Sequence, residues 1–161
     1  MTGCALVNRR MLLAGSMALF ATPSRAGADT IASVLYEATL AARRANNRGS
    51  LSLNKRLGWA AQTMAETMLR TGEFSHSAGG TSLATRVRAT GYRYRRISEN
   101  LAWASRRSAS DDQIARVLMD GWMKSAGHRR NILDSQVSDI GIGVAKRGFK
   151  TYAVQVFGRP A

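Results

Sequence analysis

Cysteine is almost absent from this sequence, because Cys4 is the only one among 161 residues. It lies in a predicted leader, so the chain beyond the leader contains no cysteine at all. Disulfides and thiol catalysis are therefore excluded from that part, and its stability must come from packing alone. The sequence also lacks internal repeats, low-complexity tracts and any sign of a second domain.

A cleavable targeting segment is predicted over residues 1–28. Arg9-Arg10 gives it a basic start, and residues 11–21 are apolar but too few to cross a bilayer as a helix. Ala26-Gly27-Ala28 has the small residues of a cleavage site. The paired arginines resemble a twin-arginine export signal, with the general secretory route as the open alternative. We therefore predict one domain over 29–161, exported to the periplasm or beyond, with no transmembrane anchor after cleavage.

Acidic residues are the minority class, with 10 Asp and Glu against 24 Lys and Arg. Three of the arginines fall in the leader, so 29–161 keeps 21 basic side chains and a net charge of +11. Such a charge attracts anionic lipid or cell-wall polymer, although a simply solvated basic surface is the alternative. No helix-turn-helix, zinc finger or ribonucleoprotein motif accompanies it, which argues against a nucleic-acid partner.

Hydrophobic periodicity predicts that helices come first. Asp29-Thr30 is expected to cap a first helix that ends near Asn46-Asn47. A second helix is expected over Leu53 to Arg70, with Gly72 just beyond its end. The remaining helices are expected over Leu83 to Ala89 and from Ser110 onward.

Strands are predicted later in the chain. Residues 97–103 are expected to form a strand or extended turn, and alternation from Ile140 predicts an antiparallel hairpin with its turn at Arg147-Gly148. Gly141 and Gly143 should let another element approach closely. This order of elements predicts an α+β fold. The three tryptophans are assigned to the core, with lining of a groove as the alternative for Trp103.

Both histidines lie in short motifs, Phe74-Ser75-His76-Ser77 and Gly127-His128-Arg129, and Ser98-Glu99-Asn100-Leu101 lies between them. Two neutral imidazoles and a carboxylate can hold zinc or another divalent metal with one position open. The motifs are too far apart in sequence for local geometry to bring them together. The alternative is that each histidine is structural.

Together with the run from Trp122 to Leu133, these motifs resemble the bacterial branch of the CAP superfamily, which includes the cysteine-rich secretory, antigen 5 and pathogenesis-related-1 proteins. The resemblance extends from about Ile31 to Gly158. It implies a three-layer α-β-α sandwich with an antiparallel sheet, and a central cleft holding two histidines and acidic residues. His76, Glu99 and His128 match that cleft by resemblance.

One cleft position departs from the family pattern. Ser125 stands three residues after Trp122, where many animal and plant members carry a second acid. This loss weakens both a tight metal site and a mechanism based on paired carboxylates. Gln155 is predicted to point outward on the last strand and to face the cleft, and a solvated strand residue is the alternative.

The predicted function is an exported binding module with a polar cleft of His76, Glu99, His128, Ser125 and Gln155. Its ligand would be a small apolar molecule, an extracellular anionic partner, or a divalent metal such as zinc on His76, His128 and Glu99. The alternative is a metal-assisted hydrolase acting on peptide or cell-wall material. The sequence lacks the Gly-x-Ser-x-Gly motif of serine hydrolases and leaves catalysis open.

Overall fold

The computed structural model describes residues 25–161, so the predicted leader lies outside the described part except for its last four residues. The elements, in chain order, are α1 Arg25–Ala45, β1 Ser52–Leu53, α2 Lys55–Thr71, a short 3₁₀ turn Ala78–Gly80, α3 Leu83–Ala89, β2 Tyr94–Ser105, α4 Asp111–Lys124, α5 Ala126–Ile132, β3 Asp139–Arg147 and β4 Lys150–Pro160.

A four-stranded sheet of order β1-β3-β4-β2 forms the middle layer. β4 pairs antiparallel with both β2 and β3, as the hairpin prediction requires, whereas the two-residue β1 runs parallel to β3. Helices α1, α4 and α5 pack on one face, and α2 and α3 pack on the other. The predicted α+β fold and three-layer α-β-α sandwich are confirmed.

The glycines of β3 bring α2 directly onto the sheet. A Cβ atom added at Gly141 would lie 2.1 Å from the backbone nitrogen of Gly58, and one at Gly143 would lie 2.3 Å from the carbonyl carbon of Ala61. No side chain fits at either position, because the obstacle is backbone. The predicted close approach is confirmed, and it fixes the distance between α2 and the sheet.

Capping residues set most helix ends. Asn54 accepts hydrogen bonds from the backbone of Arg56 and Leu57, so α2 begins two residues later than predicted. Gly72 closes α2 in the left-handed conformation with φ 76°, as expected. Ser110 forms a reciprocal capping box with Gln113 at the start of α4.

The first helix begins earlier than predicted. α1 starts at Arg25, so Asp29 lies within the helix instead of capping it. The reason is that Ala28 is buried in the core between α1 and the sheet, which favours continuing the helix through it. The predicted cleavage point after Ala28 therefore falls inside α1. None of the helices described from residue 25 onward is both long and apolar enough to cross a membrane.

The tryptophans divide between core and surface. Trp122 is buried as predicted, and its indole nitrogen donates a 3.0 Å hydrogen bond to the carbonyl oxygen of Leu101. Trp59 is 61% exposed and Trp103 is 51% exposed, so their assignment to the core was wrong. Trp59 lies on the outer side of α2, because Leu57 and Ala60 face the sheet.

Candidate functional site

The predicted carboxylate, Glu99, lies on the edge strand β2 with a side chain that is only 2% exposed. One carboxylate oxygen accepts a 2.6 Å hydrogen bond from the guanidinium of Arg86. The other lies 2.9 Å from Nδ1 of His76. Both carboxylate oxygens are therefore hydrogen-bonded. Arg86, and His76 when its ring is protonated, form charge-assisted hydrogen bonds to Glu99, which are stronger than neutral ones.

Arg86 was not identified from the sequence, although it organises the site. It lies on α3 with a side chain only 4% exposed, and its Nη1 donates to the carbonyl oxygens of Thr81 at 2.6 Å and His76 at 3.1 Å. It thereby ties the loop carrying His76 to the strand carrying Glu99. Its Nε has no partner among the described residues.

A signal for Arg86 was present in the sequence. Leu83, Arg86 and Val87 follow the i, i+3, i+4 spacing of one helical face, and Arg88 does not. In the structure Arg86 and Val87 are buried while Arg88 is exposed. A cation placed on the apolar face of a short helix indicates a buried acidic partner, here Glu99.

His76 is oriented by Glu99 but remains open to solvent, with 62% of its side chain exposed. It follows α2 in a loop where Ser75 and Ser77 bond each other through their hydroxyls. In the neutral ring, a proton on Nδ1 donates to Glu99, which leaves the Nε2 lone pair available on the exposed side. His76 can therefore accept a hydrogen bond, take up a proton or bind a metal ion.

His128 reaches the same region from the other layer of the sandwich. It lies on α5, where the side-chain nitrogen of Asn100 donates to the His128 carbonyl oxygen and that of Asn131 donates to the Glu99 carbonyl oxygen. Burial and, second, the charge of nearby His76 lower the pKa of His128 from its ordinary value of 6.5. The charge effect of His76 on His128 indicates that the two imidazoles lie near each other beside β2. We call His76 and His128 the histidine rim.

The two remaining predicted residues do not join the rim through any side-chain contact. Ser125 is half-buried between α4 and α5, and its side chain makes no capping hydrogen bond at the start of α5. Gln155 is fully buried and bonds Thr39 and Asn100, so the prediction that it faces a cleft was wrong. The reason is that β4 is a central strand, and α1 covers the face that alternation places outward.

The predicted set of three metal ligands does not fit this geometry. Both oxygens of Glu99 are bound to Arg86 and His76 and shielded from solvent. Across residues 25–161, no group of three or more His, Cys, Asp or Glu side chains is arranged to hold a metal ion. Only the two imidazoles of the rim remain as donors. Glu99 would orient His76 from behind, as carboxylates commonly do for metal-binding histidines.

Comparison with known proteins places the chain in a family. The sequence profile of the cysteine-rich secretory protein family, CAP, matches residues 36–157. The chain belongs to the CAP family. The matched range contains Glu99, Arg86 and both residues of the histidine rim. No curated protein matches the chain.

Solved CAP-type structures share the fold. An extracellular protein of Bacillus anthracis containing an SCP domain is 23% identical, with a TM-score of 0.69 over 82% of this chain, which spans only 41% of that protein. An outer surface protein of Borrelia burgdorferi is 17% identical, with a TM-score of 0.76 over 87% of this chain and 98% of that one. NaASP2 with Zn²⁺ is 11% identical, with a TM-score of 0.60 over 85% of this chain and 84% of that one. At these identities the likeness establishes the fold alone.

Proposed function

We propose that this CAP-domain protein is an exported binding module that contacts its ligand through the histidine rim. The observation that carries the proposal is the Glu99 carboxylate, buried between Arg86 and His76. Burying a charge pair costs desolvation energy, which is offset only by good geometry and further hydrogen bonds. That arrangement lets His76 satisfy the second oxygen of the buried carboxylate while it fixes the ring and leaves most of it exposed to solvent, where a ligand can reach it.

A divalent metal such as zinc is the first candidate ligand. His76 Nε2 and His128 would hold it, with Glu99 behind His76, and ligand or solvent molecules would complete the coordination. A bound zinc ion would act as a Lewis acid toward an oxygen ligand. A CAP-type structure, NaASP2, contains Zn²⁺, which supports testing zinc first.

A small organic ligand is the alternative occupant. The histidine rim offers nitrogen donors and acceptors at the surface, not a deep apolar cavity. A groove of about 620 Å³ lies elsewhere, between α1, α2 and β3, and is lined partly by Ala32, Leu69 and Ile142. A small apolar ligand fits that groove better than the rim.

Export supports an extracellular or periplasmic partner. The predicted leader precedes the domain, and the structural neighbours include an extracellular protein and an outer surface protein. With a net charge of +11 outside the leader, the domain is expected to favour anionic lipid or anionic cell-wall polymer.

Zinc titration of the purified protein tests the shared rim. We expect about one zinc per chain, a loss of binding in both His76→Ala and His128→Ala, and a 10- to 100-fold weaker affinity in Glu99→Gln, on the order expected when a residue behind a ligand is lost. Circular dichroism would confirm that each variant is folded. Zinc affinity unchanged in either histidine variant would contradict a site that joins the two rings.

A measurement made without any ligand tests whether the two rings are close to each other, independently of metal binding. NMR titration of the His128 ring should show its pKa rising in His76→Asn, because the charge of His76 lowers it, while burial keeps it below the ordinary value. An unchanged His128 pKa would mean that the two rings are too far apart to share a ligand. No zinc binding together with a risen pKa would leave the rim as a site for an organic ligand.

The second candidate function is a hydrolase, because an imidazole oriented by a carboxylate is the arrangement of a general base. In that case His76 must be the base, since both oxygens of Glu99 are engaged. His76→Ala would then abolish turnover of peptide or cell-wall material without unfolding the domain. Turnover retained in this variant would rule the hydrolase out.

A further inference from the structure

A basic and aromatic surface lies at one end of the sandwich, where the β3–β4 turn meets the loop after β2. We define this hairpin tip as Trp103, the loop 105–109 and the turn 147–150. The backbone nitrogen of Arg106 donates a 2.9 Å hydrogen bond to the carbonyl oxygen of Phe149, which joins loop and turn. The tip is therefore one surface built from two chain segments.

Large aromatic side chains project from the hairpin tip into solvent. Trp103 is 51% exposed, and Phe149 is 48% exposed. Among the described residues, only four other large hydrophobic side chains are exposed, and one of them is Trp59 on α2. Exposing two such rings on one surface is unfavourable in water, so a nonpolar partner would gain free energy by covering them.

Cations lie beside these rings, and the nearby carboxylate of Asp111 is paired with Lys146, outside the tip. The Arg107 guanidinium lies 4.8 Å from the centre of the Phe149 ring, and the Lys150 ammonium lies 5.8 Å from that of Trp103. Arg106 and Arg147 add two more positive charges, and neither segment contains Asp or Glu. None of these four cations joins an ion pair within residues 25–161. The tip therefore presents about four unneutralised charges together with exposed rings.

We propose that the hairpin tip docks on an anionic lipid bilayer, with Trp103 and Phe149 at the level of the headgroups and the four cations on lipid phosphates. A soluble polyanion would satisfy the cations but would leave the rings in water. A bilayer surface satisfies both, since aromatic rings favour the interface and basic side chains are attracted to anionic lipid. The match of charge and exposed rings therefore favours lipid over polymer.

This inference rests on the proposed export, because only an exported domain meets an outer bilayer surface. It assigns anionic lipid as the partner of the basic surface, and it does not alter the ligand proposed for the histidine rim. The tip and the rim share no residue, so their tests fail independently. Loss of vesicle binding would leave a zinc result standing, and the reverse also holds.

Vesicle sedimentation tests the proposal, using the protein recovered from the exported fraction with the same N-terminus in every variant. The probes are vesicles of phosphatidylcholine with about 30 mol% phosphatidylglycerol, pure phosphatidylcholine vesicles, and dextran sulfate as a soluble polyanion. We expect binding to the anionic vesicles only. Arg106→Gln with Arg107→Gln should weaken it roughly 25-fold, about fivefold per cation.

The aromatic variants decide between lipid and polymer. Trp103→Ala with Phe149→Ala should lose at least about tenfold in vesicle affinity while dextran sulfate binding stays the same. Trp59→Ala, which removes an even more exposed ring from α2, is the control and should bind like the original protein. Vesicle affinity unchanged in the aromatic double variant, or dextran sulfate binding without vesicle binding, would overturn the proposal.

Tryptophan fluorescence provides a second readout if the double variant does not fold. In Trp59→Phe, emission comes from the tip residue Trp103 and from Trp122, which is buried, so we expect vesicles to leave the Trp122 emission unchanged. Anionic vesicles should shift the emission to shorter wavelength, as expected for a ring that leaves water. No shift under conditions where the protein sediments with vesicles would also overturn the proposal.

Discussion

Replacing Arg86 by Met tests the charge pair beneath the histidine rim. The substitution keeps an unbranched apolar stem on α3 but removes the three hydrogen bonds that the guanidinium donates, to Glu99, Thr81 and the His76 carbonyl oxygen. Glu99 would then stay buried, with His76 as its only side-chain partner. The main cost comes from leaving that carboxylate without its cation.

The expected loss is large relative to the stability of a domain of this size. Breaking a buried ion pair by removing one partner typically costs about 3–5 kcal/mol. Domains of this kind unfold with about 5–15 kcal/mol. We therefore expect Arg86→Met to lower the urea midpoint by more than about 1 M, at a slope that is nearly unchanged.

Arg88→Met is the matched control, because Arg88 lies two residues away on the same helix and is exposed. Its guanidinium lies 5.9 Å from the centre of the Tyr94 ring, a cation–π contact worth about 0.5–1 kcal/mol at an exposed site. Adding Glu99→Gln to Arg86→Met should recover part of the loss, since the uncompensated charge is then removed. Equal losses in Arg86→Met and Arg88→Met would refute the buried pair.

Two further outcomes follow from the structure. Gly143→Ala should lower the free energy of unfolding by about 3 kcal/mol or more, because its Cβ would overlap the Ala61 backbone. Gly49→Ala is the control, because open space surrounds Gly49, and it should change that free energy by less than about 0.5 kcal/mol. Thermal unfolding of the two variants measures both changes. The pKa of His128 is lowered in the folded protein, so below about pH 6.5 the unfolded chain takes up a proton at this residue before the folded protein does. The free energy of unfolding should therefore fall on acidification, by up to about 1.4 kcal/mol per pH unit. His128→Gln should flatten that dependence in urea unfolding as the pH falls below about 6.5, and an unchanged slope would contradict it.

The sequence predicted the elements whose signals are local. Ser110 and Gly72 mark helix ends through hydrogen bonds to their own neighbours, and both were predicted correctly. The glycines of β3 indicated a close approach, although the sequence did not reveal that α2 was the approaching element. The parallel pairing of β1 was missed, because two residues carry no periodicity.

The site shows the same division between local and long-range information. His76 and Glu99 were predicted to meet through family resemblance, and the structure joins them, although spacing alone did not require it. Gln155 was misplaced because alternation tells which face a residue occupies and not whether a helix covers that face. Arg86 was overlooked among many arginines, since only its helical phase relative to Val87 distinguishes it.

Because both oxygens of Glu99 are already hydrogen-bonded, the cleft has fewer groups with which to bind a ligand. By the family resemblance, Ser125 stands where a second acid is expected, and Glu99, the acid that matches the family pattern, is bound to Arg86 and His76. The predicted site therefore presents ring nitrogens to a ligand and no free carboxylate. Such a surface binds a metal less tightly than one with charged ligands, and protonation of the imidazoles competes with binding as the pH falls. A ligand held there should bind more weakly in acid, and Arg86 would influence it only by keeping Glu99, and through it the ring of His76, in place.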